Sequence, residues 1–192
     1  MASRPDPDFG ELIARLTREL RARQLGFMLI GGQAVLLHGE PRLTQDIDVT
    51  LGIGPNRLDV VLGVCRALGL QPIPSDIEGF VRETFVLPAA DPRSGIRVDL
   101  IFSTTPYEAT AIGRAVWVEL AGERVPFASA EDLILHKLFA GRARDLEDTR
   151  GVVRRKGPDL DWGYLRRWAA DFALVPGRES MPAAIEELAR GG

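Results

Sequence analysis

"LIGGQAVLLHGEPRLTQDIDV", residues 29–49, decides how this 192-residue chain is read. A glycine pair, Gly31-Gly32, follows directly on apolar residues, and after thirteen intervening residues Asp46-Ile47-Asp48 opens another apolar run. Strand residues two apart share a face, so Asp46 and Asp48 project together while Ile47, Val49 and Leu51 take the core side. Carboxylates at the margin of a buried strand are costly unless something pairs with them. The glycines suggest what that is. Between a strand and a helix N-terminus, bare backbone N–H groups can approach a phosphate closely.

A second stretch adds to this pair. In "GIRVDLIF", residues 95–102, Val98, Leu100 and Phe102 take one face and leave Arg97 and Asp99 on the other. If this strand lies beside the first, Asp99 becomes a third carboxylate. Three clustered carboxylates repel one another, and without a counter-charge some would stay protonated at neutral pH. Mg²⁺ supplies that charge and prefers oxygen ligands, usually one or two carboxylates plus substrate phosphates. Two such ions can activate an attacking hydroxyl and stabilise a leaving pyrophosphate together.

Outward from these stretches the chain divides into a sheet-rich part and a helical part. "PDFGELIARLTRELRARQLG" (7–26) spaces Leu12, Ile13, Leu16 and Leu20 as one face of a helix ending before Gly26. "FMLIGG" reads as a short buried strand, "GQAVLLHG" as a brief helix, and Asn56 to Leu68 as another helix. "ETFVLPAA" and "GIRVDLIF" are extended and joined by the turn-rich "DPRSG". "AVWVEL-AGE-RVPFAS" reads as a hairpin whose register the sequence leaves open. From Ser129 the pattern turns helical: Ser129 and Asp132 stand in capping-box positions, and further helices cover 143–157, 161–174 and 182–190. The expected organisation is a mixed-sheet domain over 1–128 and a helical subdomain over 129–192.

Composition narrows the class. Hydrophobic residues make up 45% and charged residues 27%, as in ordinary globular proteins. A net charge of −3 argues against coating nucleic acid non-specifically, without excluding a local basic face. The single cysteine, Cys65, rules out an intramolecular disulfide and reads as a core residue. The polar "MASRPDPDFGEL" has no apolar signal core and no run has the length of a membrane span, so a cytoplasmic location is expected. His38 and His136 lack a second histidine at ligand spacing and read as structural, and Trp162 and Trp168 as core.

"GGQAVLLHGEPRLTQDID", "RVDLIF" and "KLFAGRARDLED" together resemble the nucleotidyltransferase superfamily with the DNA polymerase β-type palm, in its AbiEii/AbiGii toxin-like branch. The resemblance spans residues 29 to about 150 and rests on three separated motifs in order. It implies an α+β fold, a mixed-sheet palm with flanking helices plus a C-terminal helical subdomain. It also implies Mg²⁺ or Mn²⁺ held by Asp46, Asp48 and Asp99, with an NTP as co-substrate. Gly31 and Gly32 would hold its phosphates, and Asp99 would help deprotonate the acceptor. Gly32 stands where serine is common in the superfamily, and the gap to Asp46 is longer than in minimal members; both features resemble this branch.

The branch pattern further implies that Lys137, followed by Arg142, Asp145 and Asp148, contributes to the nucleotide site, with Lys137 among the catalytic residues and Asp145 among those contacting nucleotide. Arg42 and Thr44, in "PRLTQDID", fit it as well. Read from the residues alone, Lys137 is first a lysine lying along an apolar stripe, and it is the branch pattern that raises it above that reading. Asp145 and Asp148 are one helical turn apart and could pair with Arg142 and Arg144 on a helix surface. Arg42 could meet phosphate or cap a neighbouring helix.

The function implied is transfer of a nucleoside monophosphate from an NTP to an acceptor hydroxyl, with release of pyrophosphate. The acceptor would be RNA, such as a tRNA end, or a protein side chain. Aminoglycoside nucleotidyltransferases share the glycine pair and Asp-x-Asp, which makes small-molecule modification the runner-up. A non-catalytic nucleotide-binding module, and a toxin held inactive by an antitoxin partner, complete the readings.

Overall fold

The computed structural model describes residues 7–191, so the N-terminal half of the polar "MASRPDPDFGEL" stretch and Gly192 lie outside the described residues. The chain forms two compact units. One runs to Gln33 and resumes over Leu43–Ala128; the other joins Ala34–Arg42 to the chain from Ser129 onward. A boundary near residue 128 follows the change from strands to helices, but the grouping of Ala34–Arg42 with the C-terminal helices has no counterpart in composition or periodicity.

The first unit is built on a seven-stranded mixed sheet. Its strands are β1 (Phe27–Leu29), β2 (Asp46–Leu51), β3 (Gln71–Pro72), β4 (Val86–Ala90), β5 (Arg97–Phe102), β6 (Val116–Leu120) and β7 (Glu123–Phe127). They lie in the order β3-β4-β5-β2-β1-β7-β6. β1 pairs antiparallel with β2, and β2 pairs parallel with β5, which is the adjacency needed for Asp99 to share a face with Asp46 and Asp48. The alternation expected from sequence is present: Ile47, Val49, Leu51, Val98 and Leu100 are fully buried and Phe102 nearly so. Each such side chain contributes about 1.5–3 kcal/mol by leaving water, which fixes the strand faces.

Helices α1 (Pro7–Ala22) and α3 (Leu58–Leu68) belong to this unit and pack on one another. Leu12, Ile13, Leu16 and Leu20 of α1 are all buried, as their spacing predicts. Cys65 is buried in α3, and burial pushes its thiol up to about 11, so it stays protonated and serves as packing. Ala121 and Gly122, both in the left-handed region, close the β6–β7 hairpin and set its register, with Leu120 opposite Glu123.

Two helices go beyond the sequence reading. α4 (Ile77–Thr84) is capped by Asp76, whose carboxylate accepts from the Gly79 N–H. α5 (Pro106–Gly113) opens on a full capping box between Thr105 and Glu108. Both are two turns long, too short for apolar periodicity to stand out from the flanking strands.

The second unit contains α6 (Ala130–Ala140), α7 (Ala143–Lys156), α8 (Trp162–Phe172) and α9 (Met181–Gly191), with most of α2 (Gly31–His38). Ser129 caps α6 by accepting from the Asp132 N–H, and its hydroxyl donates to the Asp132 carboxylate. The Tyr164 hydroxyl donates to the other oxygen of that buried carboxylate at 2.6 Å, tying α8 to α6. Trp168 lies in a row between Tyr164, which it meets edge-on, and Phe172, to which its ring is tilted. No described helix is long and apolar enough to cross a membrane.

Candidate active site

The turn after β1 and the first residues of β2 are fitted to each other. The Ile30 N–H donates to the Asp48 carbonyl at 2.9 Å, extending the β1–β2 ladder to the edge of the glycine pair. Gly31 then takes a positive φ of 63°, which side-chain-bearing residues adopt at a cost. It also has no room for a side chain. A Cβ on Gly31 would overlap the Asp48 carboxylate, and one on Gly32 would overlap the Thr44 hydroxyl. The glycines are therefore required by the close approach of Asp48 and Thr44 as well as by the turn.

Thr44 is the next piece. Its hydroxyl donates to one carboxylate oxygen of Asp46 at 2.9 Å and so orients that carboxylate. On the neighbouring strand, the β2–β5 register sets Asp48 opposite Asp99 and Asp46 opposite Arg97. Paired residues on adjacent strands share a face, so these four charged side chains form a two-by-two array on one face of the sheet.

Arg97 is the residue whose role the sequence reading left unassigned. Its Nε donates to Asp99 Oδ1 at 2.7 Å, with the Asp99 side chain 17% exposed and that of Arg97 53% exposed. The hydrogen bond to Asp99, reinforced by the charges of Asp99, Asp46 and Asp48, raises the guanidinium pKa above its ordinary value against a smaller opposing effect of burial. Sequence did carry the signal, because Arg97 and Asp99 are two apart on one strand.

Among the described residues no three His, Cys, Asp or Glu side chains are grouped so as to hold a metal ion. Asp46, Asp48 and Asp99 share a face, but the Asp99 carboxylate is engaged by Arg97. The donor chemistry nonetheless fits a hard divalent cation. Asp46 and Asp48 share one face of β2 next to the glycine turn, and Mg²⁺ typically takes one or two carboxylates and completes its shell with phosphate and water.

The remaining sequence-predicted residues lie in the second unit and form a network of their own. Lys137 of α6 is buried, and its Nζ lies 2.8 Å from both Asp145 Oδ1 and Asp148 Oδ2 of α7. Arg42 makes a two-pronged pair with Asp148, through Nε at 2.8 Å and a terminal nitrogen at 2.9 Å. Arg142 reaches Asp145 from an exposed position. Burial alone would raise both carboxylate pKa values. The hydrogen bonds from Arg142 and Lys137 to Asp145, and from Arg42 and Lys137 to Asp148, outweigh it and lower both. Asp145 and Asp148 are thus interior anions, Lys137 is the cation between them, and Arg42 ties residues 34–42 to α7. Glu40 adds a second tie to that helix through Arg154.

The chain is similar to several solved nucleotidyltransferases. ANT(2'')-Ia, solved in complex with adenylyl-2''-tobramycin, shares 18% identity at a TM-score of 0.56, covering 96% of this chain and 99% of that one. A nucleotidyltransferase-like antigen from Paracoccidioides brasiliensis shares 14% at 0.55, covering 92% and 91%. The lincosamide adenylyltransferase LnuA, lincomycin-bound, shares 13% at 0.52, covering 74% and 94%. At these identities the likeness establishes the fold. No curated protein matches the sequence. The family model described as the nucleotidyl transferase AbiEii toxin of type IV toxin–antitoxin systems matches residues 14–189. That match takes in the glycine turn, the carboxylate face and the Lys137 network, and on it the chain belongs to the AbiEii family of nucleotidyltransferases.

Proposed function

We propose that this nucleotidyltransferase moves a nucleoside monophosphate from an NTP to a hydroxyl of an RNA or protein acceptor, with a divalent cation, Mg²⁺ or Mn²⁺, at the Asp46–Asp48 face. The observation that carries the reading is the in-register pairing of Asp48 with Asp99, beside a Gly31 turn too tight for any side chain. Asp46 and Asp48 would hold the cation, which when bound supplies Lewis-acid stabilisation of charge on the phosphates. Gly31 and Gly32 would offer their backbone N–H groups to the phosphates, and the Thr44 hydroxyl orients the Asp46 carboxylate. Asp99, once free of Arg97, is the base positioned to take the proton of the acceptor hydroxyl. We read Lys137 with Asp145 and Asp148 as the charged core that fixes α6, α7 and Arg42 in the second unit.

Membership of a toxin family supports a further element, an antitoxin partner that restrains this activity in the cell. The decisive experiment incubates the protein with each α-labelled NTP, Mg²⁺, and in separate arms total RNA, a cell protein extract and an aminoglycoside. Label on RNA or protein is expected. Label on the aminoglycoside alone would replace the acceptor assignment with small-molecule modification. No label in any arm, with the metal-dependent stabilisation described below also absent, would leave a non-catalytic module.

A further inference from the structure

We infer that Arg97 is the resident counter-cation of the carboxylate face, holding Asp99 until a divalent cation displaces it, and thereby sets the affinity of the site for metal. The inference rests on the reading of that face as the metal and nucleotide site.

The array formed by β2 and β5 has four corners, of which Asp46, Asp48 and Asp99 are anionic and Arg97 is cationic. Adjacent strands are about 4.8 Å apart, so the guanidinium lies within reach of carboxylates on both. It is committed to one of them, Asp99, at 2.7 Å. On the other side of β5, strand β4 sets Pro88 opposite Asp99 and Ala90 opposite Arg97, so neither position faces a competing charge.

Arg97 opens β5, and more than half of its side chain is exposed. A pair held at such a margin is weak and exchanges readily with solvent. The guanidinium stays protonated throughout, so it leaves Asp99 as a cation and its charge opposes the incoming metal at every stage. Two consequences follow. Without metal, Arg97 relieves repulsion among the three carboxylates. With metal, that relief is redundant, and Arg97 is a competitor. Arg97 is accordingly a positioning residue, since it acts through Asp99.

The test is a Mn²⁺ titration of the purified full chain, followed by the electron paramagnetic resonance signal of free Mn²⁺, together with thermal unfolding with and without Mn²⁺. Arg97→Gln should tighten Mn²⁺ binding by about fivefold, the order expected from removing an exposed ion pair. It should lower Tm without metal yet match the parent at saturating Mn²⁺. In an Asp99→Asn background, Arg97→Gln should tighten Mn²⁺ binding by clearly less than it does in the parent, because only its through-space effect on Asp46 and Asp48 is left. An ordinary surface ion pair would lower Tm equally in both conditions. That pattern, or unchanged or weaker Mn²⁺ binding in Arg97→Gln, overturns the inference while leaving the metal site standing. Equal Mn²⁺ binding by the parent and by Asp46→Asn/Asp48→Asn overturns the metal reading itself, and the inference with it.

Discussion

Asp48 and Asp99 stand opposite one another across the parallel pair of β2 and β5, one strand carrying the second aspartate of Asp-x-Asp and the other a lone aspartate 51 residues on. The pairing brings negative charge together where burial gives no reason for it, while alternate residues on both strands build the core. On the proposed reading a bound divalent cation compensates that charge.

Metal should therefore stabilise the protein. Mg²⁺ or Mn²⁺ is expected to raise Tm, and more so with an NTP present, because a ligand that binds only the folded state shifts unfolding by mass action. Asp46→Asn together with Asp48→Asn should abolish the rise. A full metal-dependent shift in the double variant, measured by scanning calorimetry, would move the site elsewhere.

Asp99→Asn is nearly isosteric and leaves the core face of β5 untouched, so it should fold with the parent's circular dichroism. Turnover should fall by about 10²-fold or more, the usual scale for a general base, with a smaller change in KM for the NTP. An Asp99→Asn protein retaining parental turnover would take Asp99 out of the reaction.

Gly31→Ala tests the fit between turn and carboxylate. The left-handed backbone alone costs about 1–2 kcal/mol for a residue with a side chain, and the new methyl must also push the Asp48 carboxylate aside. Lower stability in urea and loss of most of the metal-induced Tm shift are expected. Gly113→Ala, with open space around it and no positive φ, serves as the control and should be neutral or slightly stabilising. If Gly31→Ala lowers stability but keeps the full metal-induced Tm shift, the glycine pair is only a turn.

Lys137→Met leaves two buried carboxylates short of a cation, a loss of about 3 kcal/mol by comparison with other broken buried pairs. Arg142→Gln removes a partner whose side chain is 75% exposed and should cost less than about 1 kcal/mol. Urea denaturation of both variants reads the difference directly. A Lys137→Met protein as stable as the parent would mean that Nζ is not what keeps Asp145 and Asp148 ionised.

Acid should unfold the helical unit through the same network. The folded pKa values of Asp145 and Asp148 lie below the ordinary carboxylate value, so their contribution is fully present above that value and disappears as pH falls through the lowered ones. Stability followed by the far-ultraviolet helical signal should be flat above about pH 5 and decline progressively below it. A flat profile down to about pH 2 would contradict these pairings.

Local patterns in the sequence were sufficient for much of this protein. Period-two alternation in residues 46–51 and 97–102 set which side chains enter the core, because a one-residue slip would bury the aspartates. The same alternation placed Asp46 with Asp48, and Arg97 with Asp99. The spacing of Leu12, Ile13, Leu16 and Leu20 gave α1, and Ser129 with Asp132 gave the start of α6. Thr105 and Glu108 carry an equally readable signal for α5, whose two turns are too short for apolar periodicity to reinforce it. What the sequence could not carry were relations between distant segments. Only the tertiary structure decided that β5 lies beside β2 in the register that faces Asp99 to Asp48. It alone showed that Arg97 turns to Asp99, that residues 34–42 join the C-terminal helices, and that Lys137 is enclosed by Asp145 and Asp148. The physical reason is that periodicity reports how one segment meets an apolar environment, whereas the pairing of charges depends on which segments the packing of the whole core brings together.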